Sequence, residues 1–107
     1  MGALFGDMGG LLKQARKMQS EMKRVRKALA KERLTGTSKD GHVRIVLSGD
    51  AKVIELKIEP PALDGAKAEA VQTSVREALE EALIQVEDRR EAEMKRVTGG
   101  LGLSGLM

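Results

Sequence analysis

The chain has 107 residues and a formal net charge of +3, with no cysteine and a single aromatic residue, Phe5. That length holds one domain with a core of modest size. The missing cysteines exclude disulfides, thiolate nucleophiles and thiolate metal sites. Phe5 alone cannot build the aromatic platforms on which single-stranded bases stack, so a nucleic-acid partner would be a duplex met through its backbone. No run is long and apolar enough to cross a bilayer and no signal-peptide pattern opens the chain, which reads as a soluble intracellular protein.

Met1 to Gly10 is glycine-rich and is expected to fray, with Asp7 as the candidate cap of the helix that follows and Leu4 and Phe5 either a small apolar clip or disordered. From Leu11 to Arg33 the period is helical. Met8, Leu11, Ala15, Met18, Met22, Val25 and Leu29 keep an unbroken three-four spacing, the a and d positions of a heptad, and such a seam requires a partner helix.

The cations of this helix avoid the seam. Lys13 and Lys27 take f, Arg16 and Lys23 take b, Lys17, Arg24 and Lys31 take c, and Arg26 takes e. They form a stripe on the far side, about 37 Å long from Met8 to Glu32 at 1.5 Å per residue, close to one turn of duplex DNA. A solubilising helix face usually mixes signs, whereas this one is offset only by Glu21 and Glu32. Residues 1 to 33 carry nine Lys or Arg against three carboxylates (+6), and the remainder carries ten against thirteen (−3), so the first helix is the electrostatic footprint of the molecule.

After Arg33 the period changes to two. Leu34 to Ser38, His42 to Ser48 and Ala51 to Ile58 read as the strands of an antiparallel meander, turned at Lys39-Asp40-Gly41 and at Gly49-Asp50. Pro60-Pro61 stops the sheet, and Asp64 is the expected cap of a second helix from about Ala66 to Val97. Its stripe of Val71, Val75, Ala78, Leu79, Ala82, Leu83 and Val86 is broad enough to pack on the sheet, with the small Ala78 and Ala82 permitting close approach. Beyond Val86 the helix is expected to leave the core and run beside the first helix, either straight or after a bend that the pattern does not locate. The whole is a single α+β domain, 1–107, with flexible tails at 1–7 and 99–107.

Catalytic chemistry finds no constellation here. His42, the only histidine, sits beside a hairpin turn, and no Ser or Thr has a base and an orienting acid at recognisable spacing. Glu77, Glu80, Glu81, Glu87, Asp88, Glu91 and Glu93 interleave with Arg76, Arg89, Arg90 and Lys95 as a salt-bridged helix face. The expectation is a protein that is not an enzyme, with no cofactor, no metal, no small-molecule substrate and no membrane partner.

Leu11-Leu12-Lys13-Gln14-Ala15-Arg16-Lys17-Met18-Gln19, Thr35-Gly36 with Gly41 and Val43, then Gly49, Val53, Ile58 and Pro60, and Ala78 with Ala82 stand out in this order of elements. With these residues, the order of elements resembles the YbaB/EbfC family of bacterial nucleoid-associated proteins. The resemblance implies a tweezer-like homodimer in the nucleoid of the cytoplasm. Its sheets and central helices form the body, and its helical arms grip double-stranded DNA to coat or compact it or to affect transcription. Carried onto this sequence, the DNA-contacting positions are Lys13, Arg16 and Lys17, with Lys23, Arg24 and Lys27 further along, and Arg89, Arg90, Lys95 and Arg96 opposite. The acidic residues from Glu87 to Glu93 depart from a clean basic surface in the second group. Counter to this stands an interaction or scaffold protein, whose seam docks a helical partner and whose basic stripe meets an acidic protein.

Overall fold

The computed structural model describes residues 2–65 and 67–100, with the backbone alone for 2–7 and 100. Helix α1 spans Gly2–Lys31, strands β1, β2 and β3 span Leu34–Thr37, Val43–Leu47 and Val53–Ile58, and helix α2 spans Ala68–Gly100. The three strands form one antiparallel sheet in the order β1-β2-β3. This is the expected α+β arrangement. The first helix starts earlier than the glycines suggest, and it runs through Asp7, which is therefore not its cap. The Leu4 and Phe5 side chains, residue 1 and residues 101–107, which make up part of the expected tails, lie outside the described residues.

Alternation decides the sheet. Val43, Ile45 and Leu47 point to one face of β2 and are buried with Ala78, Ala82 and Val86 of α2, flanked by Leu34, Ile58, Val75 and Leu79. Small residues set the spacing of the layers. A Cβ built on Gly36 would stand 1.9 Å from the Ala78 carbonyl oxygen and 2.6 Å from the Ala82 nitrogen, so only glycine lets β1 lie against α2. The close approach expected from Ala78 and Ala82 is thus completed from the strand side.

Both turns form where expected, with the left-handed backbone of the first at Gly41 (φ 78°). In the second it falls on Ala51 (φ 64°) and not on Gly49. Gly49 has another duty: its N–H donates to the Leu29 carbonyl at 2.8 Å, and a Cβ there would meet that oxygen at 2.6 Å. The turn thereby holds the last turn of α1. Strand β3 begins at Val53 and not Ala51, and it carries an irregularity opposite Val46 and Leu47.

Pro60 and Pro61 open a 3₁₀ turn, Pro60–Leu63, that tolerates their missing N–H groups. Asp64 closes that turn, its N–H bonded to the Pro61 carbonyl, and α2 starts only at Ala68, so Asp64 does not cap α2. The helix then continues unbroken to Gly100.

The two sheet edges differ. Along β1, Glu81 Oε2 accepts the Thr37 N–H at 3.3 Å and Gln85 Nε2 donates to the Thr35 carbonyl at 2.7 Å, while Glu77 Oε1 accepts the Lys39 N–H at 3.3 Å. Three residues spaced by four on α2 thus cover one edge. On β3, Val53, Ile54 and Leu56 are exposed, and Leu83 and Ile84 of α2 are exposed as well.

Candidate nucleic-acid interface

Among the described residues, helix α1 is fastened only near its C-terminal end. Val25 and Leu29 are buried against Val97, with Met22 at the margin, and Arg89 of α2 reaches Glu32. Val97 faces Val25 and Arg89 faces Glu32, so the two helices run antiparallel. Ahead of Glu21, every described side chain of α1 is exposed. The helix projects about 30 Å beyond this contact, and the long axis of the molecule reaches 77 Å. The predicted seam is therefore used at Met22, Val25 and Leu29, while Met8, Leu11 and Met18 lie bare.

The basic stripe lies where the heptad register puts it. Lys13, Arg16, Lys17, Lys23, Arg24 and Lys27 are all exposed, and Lys31 shares their face. Between Lys13 and Lys27 the helix holds seven cations against one carboxylate, Glu21. Among the described residues only Arg24 of this set meets a carboxylate, in an ion pair with Glu21 one turn away. The rest project from a rod with their charge uncompensated, an arrangement suited to a polyanion that passes along it.

The second expected group is built differently. Arg90 and Lys95 are exposed and, among the described residues, lack a carboxylate within ion-pair reach. Arg89 and Arg96 are committed to carboxylates. Arg89 Nε donates to Glu32 Oε2 at 2.9 Å, its Nη2 binds the other Glu32 oxygen, and the same Nη2 lies 3.1 Å from Glu93 Oε1. Arg96 donates to Glu93 Oε2 from Nε at 2.9 Å, with Nη2 at 2.8 Å.

The Arg89 hydrogen bond holds the Glu32 carboxyl below its ordinary range against a smaller opposing effect of desolvation, and the Arg96 hydrogen bond does the same for Glu93. Both stay ionised, and Arg89 is held more firmly protonated in return. From residue 87 to 96 four cations balance four carboxylates, so the end of α2 is electrically neutral where α1 is strongly positive. Within one chain the two groups overlap only along the part of α1 near Val25. Lys13, Arg16 and Lys17 lie well beyond the end of α2.

Glu32 and Glu93 are the site residues that the pattern of charges does not single out. The spacing of Arg89, Glu93 and Arg96 is a legible helical signal. The Glu32 contact spans 57 positions of sequence and becomes visible only in the fold. Among the described residues no cluster of His, Cys, Asp or Glu could hold a metal ion, and no helix is long and apolar enough to cross a membrane.

A known family matches the chain from residue 5 to 101, and its description is the YbaB/EbfC DNA-binding family. A nucleoid-associated protein of Clostridium acetobutylicum is 37% identical over 101 residues, covering 94% of this chain and 90% of that protein. One of Pelotomaculum thermopropionicum is 35% identical, covering 94% and 96%. The crystal structure of an uncharacterized Helicobacter pylori protein, HP0035, superposes with a TM-score of 0.72 at 25% identity, covering 86% of this chain and 94% of that one. With helix, three-stranded sheet and long helix in this order, and the matched region spanning nearly the whole length, the chain belongs to the YbaB/EbfC DNA-binding family.

Proposed function

We propose that the protein is a non-enzymatic, nucleoid-associated binder of duplex DNA that works in the cytoplasm as a homodimer. The observation that carries this reading is the single-signed, exposed face of the projecting α1. Lys13, Arg16, Lys17, Lys23, Arg24 and Lys27 neutralise phosphates and release counterions, which gives affinity without sequence preference. Arg90 and Lys95 add to this surface, and Arg89 and Arg96 stand behind it in their ion pairs. Coating or compaction of DNA, with effects on transcription, follows from such binding along many sites. The nucleoid-associated names of the relatives support the same reading.

The dimer rests on what a single chain leaves bare. α2 packs over β1 and β2 and leaves Leu56 exposed on the helix side of β3, while Leu83 of α2 is exposed as well. A second copy covers this face and so brings two basic arms into one particle. The test is binding to a random-sequence duplex across a salt series, with the wild type and a Lys13, Arg16, Lys17, Lys23 and Arg24 to Gln variant. Log-linear loss of affinity with salt, and a shallower slope in the variant, are expected. A wild-type dimer that fails to bind at low salt overturns the proposal and redirects the search to an acidic protein partner for the same face.

A further inference from the structure

The DNA reading leaves unexplained why two of the four cations near the end of α2 are occupied by carboxylates. Glu93 is the centre of this arrangement. Its side chain is only 14% exposed, and each of its oxygens takes one guanidinium: Oε1 that of Arg89 and Oε2 that of Arg96. An acidic group receiving two arginines in this way has the donors and the charge pattern that a DNA phosphate would otherwise receive. The arginines are not sealed in. The Arg96 side chain is 55% exposed and that of Arg89 36%, so both keep a solvent-facing side.

Resting on the proposed DNA binding, we infer that Glu93 is an affinity-setting residue: an internal competitor for phosphate that withholds Arg89 and Arg96 from the duplex. Glu32 reinforces it on Arg89 through two hydrogen bonds. The consequence is a division of labour. Apart from Arg24, which pairs with Glu21, the α1 cations bind without restraint, and Arg89 and Arg96 of α2 engage only when phosphate displaces their carboxylates. A protein that must hold DNA along its length and still release it is tuned by such a brake.

The brake is separable from simple charge number. Glu91, two residues away on the same helix, is exposed and among the described residues has no guanidinium within ion-pair reach. Glu91→Gln and Glu93→Gln therefore change the net charge equally, and only the second frees Arg96 and takes one of the two carboxylates from Arg89, which keeps Glu32.

The experiment is the same salt series on a random-sequence duplex with the intact protein. Each added phosphate contact steepens the logarithmic salt slope by about 0.9, and one or two new contacts raise affinity roughly three- to thirtyfold at low salt. Glu93→Gln is expected to show that gain and Glu91→Gln a clearly smaller one. Equal behaviour of the two variants, or no change in either, overturns the inference while leaving the wild-type binding intact. A wild type that does not bind overturns the DNA reading instead.

Arg89→Gln with Arg96→Gln in the otherwise native chain provides an independent arm that does not need Glu93→Gln to fold. Withheld arginines leave the wild-type slope almost unchanged when removed. A slope shallower by about two shows both arginines already on DNA and overturns the inference.

Discussion

Gly36 of β1 lies against the backbone of Ala78 in α2, with no room between them for a methyl group. Gly36→Ala must push the strand off the helix and break the packing that buries Val43, Ile45 and Leu47. We expect a loss of about 3 kcal/mol or more, toward the upper end of overpacking effects. Gly41→Ala is the contrast, because its Cβ would meet open space and only the left-handed backbone (φ 78°) opposes it; about 1 kcal/mol is expected. Urea denaturation of the two variants separates them, and equal losses would refute the role assigned to Gly36.

The covered β1 edge gives a second prediction. Gln85→Ala removes the donor to the Thr35 carbonyl and Glu81→Ala the acceptor of the Thr37 N–H, both near solvent. Each is expected to cost about 1 kcal/mol or less. The sharper signal is local: Glu81→Ala should accelerate hydrogen exchange at the Thr37 amide while leaving that of Ile45 close to its native rate.

Acid sensitivity is predicted at Asp40. Its carboxyl is lowered from 3.8 to about 2, first by the Ser38 hydroxyl, then by the His42 N–H and the Ser74 hydroxyl. Ser74 lies on α2, so the carboxylate ties the β1–β2 turn to the helix at 2.8 Å. A depressed carboxyl stabilises the fold fully above the unfolded value near 3.8, and this contribution disappears as the pH falls through about 2. Thermal melts of Asp40→Asn should fall below the wild type at neutral pH and converge with it as the pH drops toward 2. A constant gap down to that pH would contradict the assignment.

For the dimer, Leu83→Asp places a charge in the face proposed to be covered by a second copy. Sedimentation should show a shift toward monomer. Lys13→Glu, Arg16→Glu and Lys17→Glu together should leave both the dimer and the melting curve near native, since these exposed side chains lie off the seam. A dissociated triple variant would mean that the dimer face includes the basic stripe of α1.

Periodicity made most of this architecture legible. The alternation of Val43, Ile45 and Leu47 marked the core face, and Ala78 and Ala82 marked the close approach of α2. Local signals failed where a neighbouring element decided. Asp64 looked like a cap, but the two prolines formed a turn of their own first, and Asp7 looked like another, although the helix runs through it. Gly49 read as a turn residue, whereas its neighbour across space, Leu29, is what forbids a side chain. In the candidate site the α1 stripe was legible because a helix fixes side-chain direction over a short span. The restraint on Arg89 was not, because Glu32 is distant in sequence and the pairing depends on the antiparallel docking of two helices.

The way α1 is fastened makes it a lever. Its fulcrum lies at Val25 and Leu29, pinned by Val97 and by the Gly49 N–H, and Lys13 rides on a stiff rod about 18 Å away. A tilt of about 10° at the fulcrum carries Lys13 through roughly 3 Å, close to the rise of one base pair. Small rearrangements at the buried end of the helix therefore translate into a different choice of phosphate at the free end.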